Sequence, residues 1–313
     1  MSVKKRRVFF VFSIGVFLLC NAFGCGKNEP AATSSTQHGA PAGHGGDDLL
    51  AHKKTLLDEE IAKNKKILET NPNDAQTYYN LGLLYSENGM FEESLGAYKK
   101  ASELNPSMVE AFIGQGTVLN KKGKSDEAIT FFQKALEMNP HNADAHEGLG
   151  LVYIHKGQTE EAEKAFLRAL DVNPGLVDAR YNLGILYTKK AQFSEAIKEW
   201  TKAIEINPQK IEVYYNLGIA YAKLEKLDDA ISVWQKALKV RPDMINFHYA
   251  IGLAYKEKGD IDNAIIALKR TLEIDEHYAD VHKVLEEIYR SAGRPGEADR
   301  EAELYKSKAS PHH

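Results

Sequence analysis

The fold is decided by two consecutive stretches of 34 residues, 177–210 and 211–244. The first reads VDARYNLGILYTKKAQFSEAIKEWTKAIEINPQK, and the second reads IEVYYNLGIAYAKLEKLDDAISVWQKALKVRPDM. Both contain Tyr-Asn-Leu-Gly and then, at matching places, an alanine, a tryptophan, a second alanine and a proline. A fixed period of this length indicates a repeat architecture, in which each unit is one small piece of supersecondary structure.

The same period continues on both sides without an insertion. Units begin at Ala75, Val109, Ala143, Val177, Ile211 and Ile245. Their eighth places hold Gly82, Gly116, Gly150, Gly184, Gly218 and Gly252, and their twenty-fourth places hold Tyr98, Phe132, Phe166, Trp200, Trp234 and Leu268. This combination resembles the tetratricopeptide repeat (TPR) signature over about two thirds of the chain. The resemblance implies an all-α solenoid, a right-handed superhelix of helix-turn-helix repeats covering residues 75–278.

The chemistry of the pattern explains its residue types. Each unit has two apolar stripes at helical spacing, such as Leu217 with Tyr221 and then Ile231 with Trp234, so two short helices are predicted per unit. Small residues let the paired helices approach closely while aromatic residues fill the gaps. Because no unit can bury its own apolar face, neighbouring units must stack.

The ends of the array are less regular. Residues 49–72 predict a helix that ends at Asn71-Pro72, which we interpret as a degenerate half repeat capping the solenoid. Asn73 is then the predicted N-cap of the next helix, with Gln76 as its capping-box partner. Residues 279–309 predict a degenerate seventh repeat, because terminal units have one face in water.

The first 24 residues differ in kind from the repeats. The basic run from Lys4 to Arg7 precedes an apolar segment, 8–19, which is the layout of a secretory signal. Ala22-Phe23-Gly24-Cys25 resembles a bacterial lipobox, and this resemblance implies a lipoprotein signal peptide over 1–24 with lipidation at Cys25. Two alternatives stay open: an uncleaved membrane anchor, and simple secretion. By analogy with similar lipoproteins, Gly26 after the cysteine favours the outer membrane over the inner.

Residues 25–48 predict a disordered tether, since Gly, Pro, Ser, Thr and Ala dominate and no apolar period is present. Its His38 and His44 could bind a metal ion, but solvated linker histidines are the simpler interpretation.

Composition and motifs exclude several classes of function. The net charge is −4 although four basic residues lie within the first seven, so the rest of the chain is acidic and nucleic-acid binding is not expected. No phosphate-binding glycine loop, Gly-x-Ser-x-Gly motif or zinc-spaced cysteine pair occurs. We therefore expect a non-enzymatic protein without cofactors or bound metal. Histidines at the fourth place of a unit, His146, His248 and His282, are expected to pack against neighbouring helices.

Candidate binding residues lie on the first helix of each unit, which lines the inner groove in the family that the sequence resembles. The fifth and sixth places carry a ladder of tyrosines and asparagines: Tyr79, Asn80, Tyr181, Asn182, Tyr215, Asn216 and Tyr249. Aromatic faces offer contact area at low entropic cost, and amides can pair with a ligand backbone. The competing interpretation is that the tyrosines belong to the core.

The second place is acidic in four successive units, at Glu110, Asp144, Asp178 and Glu212, and lysines Lys121, Lys189 and Lys223 stand at the thirteenth. Two interpretations remain open. The charges select a partner with basic residues, or the acids are simply favoured near helix N-termini by the helix dipole.

The sequence thus predicts a protein–protein interaction scaffold, a lipoprotein facing the periplasm that binds segments of cell-envelope proteins in its concave groove. A narrower alternative is an assembly factor of an envelope machine, since the chain resembles the pilotin lipoproteins of type IV pili. An enzyme or accessory module is a third, less favoured class.

Overall fold

The computed structural model describes residues 45–309, with side chains from residue 52 onward. Within this range every regular element is an α-helix: there are fifteen, and no strand is present. The all-α arrangement of paired helices predicted from the repeat is confirmed. The chain divides into two compact units between Asn173 and Pro174.

The first unit contains a long N-terminal helix and three helix pairs. Their bounds are α1 Gly45–Thr70, α2 Ala75–Glu87, α3 Phe91–Leu104, α4 Val109–Lys121, α5 Ser125–Met138, α6 Ala143–His155 and α7 Thr159–Val172.

The second unit contains four helix pairs. Their bounds are α8 Val177–Lys189, α9 Phe193–Ile206, α10 Ile211–Lys223, α11 Leu227–Val240, α12 Ile245–Lys258, α13 Ile261–Ile274, α14 Ala279–Ser291 and α15 Pro295–Ala309.

The second helix of a pair ends where the sequence places Asn-Pro. Helix α9 stops at Ile206, and Asn207 takes an extended conformation with φ −131° and ψ 91°. The following proline disfavours helical geometry at Asn207. The Asn207 side chain accepts a hydrogen bond from the Gln209 amide at 3.0 Å, which closes the turn into α10. Asparagine before proline therefore both terminates one helix and shapes the connection to the next.

In six of the seven pairs, the core is built by a large residue on the second helix that lies against a glycine on the first. Trp234 is almost completely buried, and a Cβ added to Gly218 would lie 2.1 Å from its Nε1. The Trp234 indole donates a hydrogen bond to the Tyr215 carbonyl at 3.2 Å, and Trp200 donates to the Tyr181 carbonyl at 3.0 Å. The tryptophans thus hold the backbone that carries the candidate tyrosines.

The turn between the helices of a pair requires a left-handed residue. Glycine fills this place in five pairs with φ between 71° and 76°, at Gly89, Gly123, Gly157, Gly259 and Gly293. Ala191 and Glu225 adopt the same conformation with φ 57° and 60°. These two positions carry backbone strain that glycine avoids.

The N-terminal helix begins at Gly45 and packs on α2 through Ile61, which is buried. At the start of α2 the predicted cap is wrong. Asp74, not Asn73, is the N-cap, and its carboxylate accepts hydrogen bonds from the Gln76 amide at 3.1 Å and the Thr77 hydroxyl at 2.6 Å. A carboxylate one residue closer to the helix reaches these donors, so it replaces the expected capping box.

Helices between residues 45 and 309 are all too short or too polar to cross a bilayer. Cys25, the apolar segment before it, most of the predicted tether with His38 and His44, and the last four residues lie outside the described residues.

Candidate protein-binding site

The second unit holds three of the candidate tyrosines on consecutive first helices. Tyr181, Tyr215 and Tyr249 lie on α8, α10 and α12, and all three are half-buried. The Tyr215 ring meets Phe247 edge-on at 5.7 Å between centroids, and the Tyr249 ring lies 5.2 Å from that of Tyr278. We call Tyr181, Tyr215, Tyr249 and Tyr278 the tyrosine row. Its members lie between the core and the solvent, so part of each ring contacts the protein and part is accessible.

The two asparagines beside the row are more buried than side-chain amides that are free to bind a ligand. Asn216 is 6% exposed, and its Nδ2 donates to the Tyr181 hydroxyl oxygen at 3.1 Å. Asn182 is 8% exposed, and its Nδ2 donates to the Asp178 carbonyl one turn earlier at 2.9 Å. Because Asn216 donates, the hydroxyl hydrogen of Tyr181 is left for another acceptor. A direct role of the two amides in binding stays a prediction.

Burial, and at three of the four tyrosines nearby carboxylates, raise the pKa values of the phenols in the row. Burial raises the pKa of Tyr181, the Asn216 hydrogen bond opposes this, and the charges of Glu212 and Asp178 raise the pKa further. Burial also raises the pKa of Tyr249, with Asp280 as the next cause. For Tyr215, burial raises the pKa to about 12, with a smaller effect of Tyr278. The phenols therefore keep their protons at pH 7 and can donate hydrogen bonds to a ligand.

One cation of the second unit already lies against the row. The Lys210 ammonium pairs with the Asp178 carboxylate and lies 5.8 Å from the Tyr181 ring centroid. This combination of a carboxylate and an aromatic face is favourable for a primary ammonium. Asp178, one of the four acidic residues at the second place, is therefore paired within the chain.

In the first unit the tyrosine pattern is interrupted. The Tyr79 ring lies 5.7 Å from that of Tyr98, and burial raises the pKa of Tyr79, assisted by Glu110 and Asp144. The Asn80 side-chain oxygen accepts a hydrogen bond from the side-chain amide of Gln76 at 3.1 Å. The following fifth places are Ile113 and Glu147, so Tyr79 begins no comparable row in this unit.

Histidine or arginine at the fourth place of a unit binds the preceding turn, whereas the sequence predicted only that the histidines pack against neighbouring helices. The imidazoles of His146 and His248 each approach the carbonyl of the closing proline six residues earlier, Pro140 at 3.0 Å and Pro242 at 2.9 Å. Arg180 makes the same contact with Pro174 at 2.7 Å. A donor six residues after the closing proline is the sequence signal for this link, which ties α6, α8 and α12 to the turns that precede them.

Arg180 also forms a buried ion pair with Glu199 at 2.5 Å, joining α8 to α9. Their side chains are 9% and 12% exposed. In the last helix pair, buried His282 meets Glu301 at 2.6 Å from its Nδ1. No sequence pattern predicts these partners, because each pair depends on which helix faces are brought together.

Between residues 45 and 309, no three potential metal ligands of the His, Cys, Asp or Glu type come together.

Comparison with known protein families gives matches over residues 75–278. Models described as "Tetratricopeptide repeat" match residues 75–108, 107–174 and 245–278. A model described as "Tetratricopeptide repeat protein 21 C-terminal ARM domain" matches residues 148–252. A search of curated proteins found no match.

Among solved structures, YrrB, titled a TPR protein with an unusual peptide-binding site, is 30% identical over 60% of this chain and 96% of its own length, with a TM-score of 0.46. The pilF protein of Pseudomonas aeruginosa is 19% identical over 68% of this chain and 97% of its own, with a TM-score of 0.58. A TPR repeat-containing protein from Cytophaga hutchinsonii is 18% identical over 73% and 94%, with a TM-score of 0.63. The last two share the fold.

Proposed function

The chain belongs to the tetratricopeptide repeat (TPR) proteins, and on this premise we propose that it is a membrane-anchored scaffold of the bacterial cell envelope. Repeat proteins of this kind serve in general as non-catalytic scaffolds that bind other proteins or peptides on an extended surface. In our proposal a segment of an envelope protein lies along the face that carries the tyrosine row. The anchor would be a lipid on Cys25, facing the periplasm, and on the outer rather than the inner membrane.

The observation that carries this proposal is the tyrosine row itself. Large aromatic residues recur on successive first helices, and their rings are half-buried rather than enclosed. Tyrosine offers apolar area and a hydroxyl with few rotatable bonds, so it contributes to binding at low entropic cost. Tryptophan hydrogen bonds to the Tyr181 and Tyr215 carbonyls hold the backbone beneath two of these rings. A positioned aromatic face is what capture of a partner segment requires.

The binding part of the proposal is tested by capture from native envelope extract. The full chain is compared with a Tyr181→Ala/Tyr215→Ala/Tyr249→Ala variant, and bound proteins are identified by mass spectrometry. We expect at least one partner to be retained by the wild type and lost by this variant.

The matched control is Ile206→Ala/Ile266→Ala, which removes exposed apolar side chains from second helices of the same unit. It should retain the partners. Circular dichroism on all three proteins shows whether the tyrosine variant keeps its helical content. Identical partner sets for wild type and a folded tyrosine variant would exclude binding at this face.

The anchor is tested separately by growth with a clickable fatty acid. Wild-type protein should carry the label and sediment with membranes, whereas Cys25→Ser should carry none. A labelled Cys25→Ser variant, or unlabelled wild type, would contradict lipidation at this residue.

A narrower candidate is assembly of a pilus-type secretin. It is favoured by the lipobox-like Ala22–Cys25 segment in front of the TPR array, a layout that resembles the pilotins. Deletion of the gene should then reduce secretin multimers in the outer membrane, and Cys25→Ser should reproduce the loss. Unchanged secretin multimers in the deletion strain would contradict this candidate and leave only the general scaffold function.

A further inference from the structure

We infer that the face around Glu212 and Tyr215 binds a lysine or arginine side chain, so the partner segment is basic. The inference rests on the proposed function, because it names the chemistry of the segment that the tyrosine row would hold. Of two adjacent repeats in the second unit, one contains an internal cation beside its acid and its tyrosine, and the next does not.

The repeat that begins at Val177 provides the filled case. Asp178 at its second place and Tyr181 at its fifth place hold the ammonium of Lys210, which comes from its last place. The Lys210 side chain is only 27% exposed, so much of its surface is covered. This shows directly that a carboxylate and a phenol ring at these two places accommodate a primary ammonium.

The next repeat carries the corresponding residue types at the same places, without the cation. Glu212 replaces Asp178, Tyr215 replaces Tyr181, and Met244 stands where Lys210 stood. Glu212 is exposed, and among the described residues its carboxylate has neither an ion pair nor a hydrogen bond. Burial is the main cause that raises the pKa of the Tyr181 phenol, and the charge of Glu212 adds to it. A cation from outside the chain can therefore complete the arrangement that Lys210 completes one repeat earlier.

Further contacts point to a peptide rather than to a free cation. The Tyr181 hydroxyl accepts from Asn216, which leaves its hydrogen for an external acceptor such as a backbone carbonyl. Beyond Tyr215, burial raises the pKa of the Tyr249 phenol and the charge of Asp280 adds to it, whereas Glu287 is already paired with Lys256. Hydrogen-bond donor and negative charge thus recur along one face, as an extended basic segment needs.

The test uses the full chain in detergent and three fluorescein-labelled eight-residue peptides read by fluorescence anisotropy. The peptides alternate alanine with lysine, glutamine or glutamate. At 50 mM salt we expect the lysine peptide to bind at least about fivefold more tightly than the glutamine peptide, and the glutamate peptide to bind most weakly. The preference should shrink at 500 mM salt, because exposed charges are then screened.

Two reciprocal variants examine the site itself. Met244→Lys supplies the second repeat with its own cation, so it should weaken binding of the lysine peptide by about two- to fivefold, the range of one exposed ion pair. Lys210→Met frees Asp178 and Tyr181, so it should strengthen binding by a similar factor. Met138→Lys and Lys198→Met make the same charge changes at exposed positions on second helices and should change affinity less.

The outcomes separate this inference from the proposed function. Equal affinity for the three peptides, or equal effects of Met244→Lys and Met138→Lys, overturns the basic specificity. If envelope partners are nevertheless lost in the tyrosine triple variant, the scaffold function stands without it. Competition by spermidine at the concentration of the lysine peptide would mean that any polyamine fits, and would overturn recognition of a peptide.

Discussion

Two residues show how the repeat tolerates local strain. Ala191 and Glu225 hold a left-handed backbone that five other pairs assign to glycine. A side chain in this conformation costs roughly 1–2 kcal/mol of folding free energy. Substitution by glycine removes this cost, but the greater freedom of glycine in the unfolded chain offsets part of the gain. We expect Glu225→Gly to raise the free energy of unfolding by about 0.5–1 kcal/mol, measured by urea denaturation.

The matched change in the opposite direction is Gly259→Ala, at the same place in the next pair, where φ is 76°. It should lower the free energy of unfolding by about 1 kcal/mol. A stabilising Gly259→Ala would show that the turn relaxes to another geometry and that strain does not govern this place.

The pKa of Tyr215 links one residue of the row to stability at high pH. Burial raises its pKa to about 12, whereas an unfolded tyrosine titrates near 10. The folded state therefore keeps a proton that the unfolded state has lost between these values. The contribution of the raised Tyr215 pKa to stability is therefore fully present below pH 10 and is lost as the pH rises to 12.

Tyr215→Phe removes this titration and keeps the ring. The free energy of unfolding of wild type should fall between pH 9 and 11.5 more steeply than that of the variant, measured by urea denaturation at each pH. The two proteins should differ less at pH 7. Parallel curves over the whole range would mean that the phenol is equally accessible to water in both states.

At the scale of elements, close approach of paired helices depends on the glycine at the eighth place. The Trp234 indole occupies the space where a Cβ on Gly218 would stand. We expect Gly218→Ala to lower the free energy of unfolding by about 1–3 kcal/mol, because the buried indole must move.

Gly96→Ala is the control for this change. Gly96 is also helical, on α3, but nothing lies within 4 Å of an added Cβ. There the higher helix propensity of alanine should stabilise by about 0.5–1 kcal/mol. If both substitutions destabilise the protein to a similar extent, the effect comes from the helix backbone and not from contact with Trp234.

A second helix-to-helix contact is the Arg180–Glu199 pair. Removing Arg180 leaves the nearly buried Glu199 with only the 3.6 Å ion pair to Lys202, so Arg180→Ala should lower the free energy of unfolding by about 3 kcal/mol, the low end for a broken buried pair. The double variant Arg180→Ala/Glu199→Ala should recover a large part of this loss in the same urea measurement. If the two losses simply add, the pair contributes through packing and not through charge.

The sequence predicted the elements well for a physical reason. A helix pair is fixed by short-range signals: an apolar period, a glycine, a small residue and an Asn-Pro end. The second helices end beside their prolines, and Trp200 and Trp234 lie in the core as the pattern requires. What it missed depends on neighbouring helices, as in the Tyr181–Asn216 hydrogen bond across 35 positions and the Lys210–Asp178 pair across 32. No local pattern reports which polar groups stacking will bring together.

At the scale of the whole molecule, the repeat makes stability a sum over pairs and their nearest neighbours. A chain of this kind does not need its full length to fold, provided that about three repeats remain to bury a shared core. The residues from Pro174 onward form one compact unit with four helix pairs, α8 to α15, which exceeds that requirement. They also contain the complete tyrosine row, so the candidate site and the structure that supports it lie in one unit.

We therefore expect a fragment of residues 174–313 to fold by itself. Its far-ultraviolet circular dichroism should be strongly helical, and urea should unfold it in a cooperative transition, because each of its first helices keeps its paired second helix. It should bind the alternating lysine–alanine peptide within about threefold of the full chain, since Glu212, Tyr215 and their neighbours all remain. A further cut after residue 244 leaves two pairs and should give a largely unfolded chain. If fragment 174–313 is helical but does not bind the peptide, the binding face needs residues before 174. If it is unfolded, stability is not a sum over local pairs.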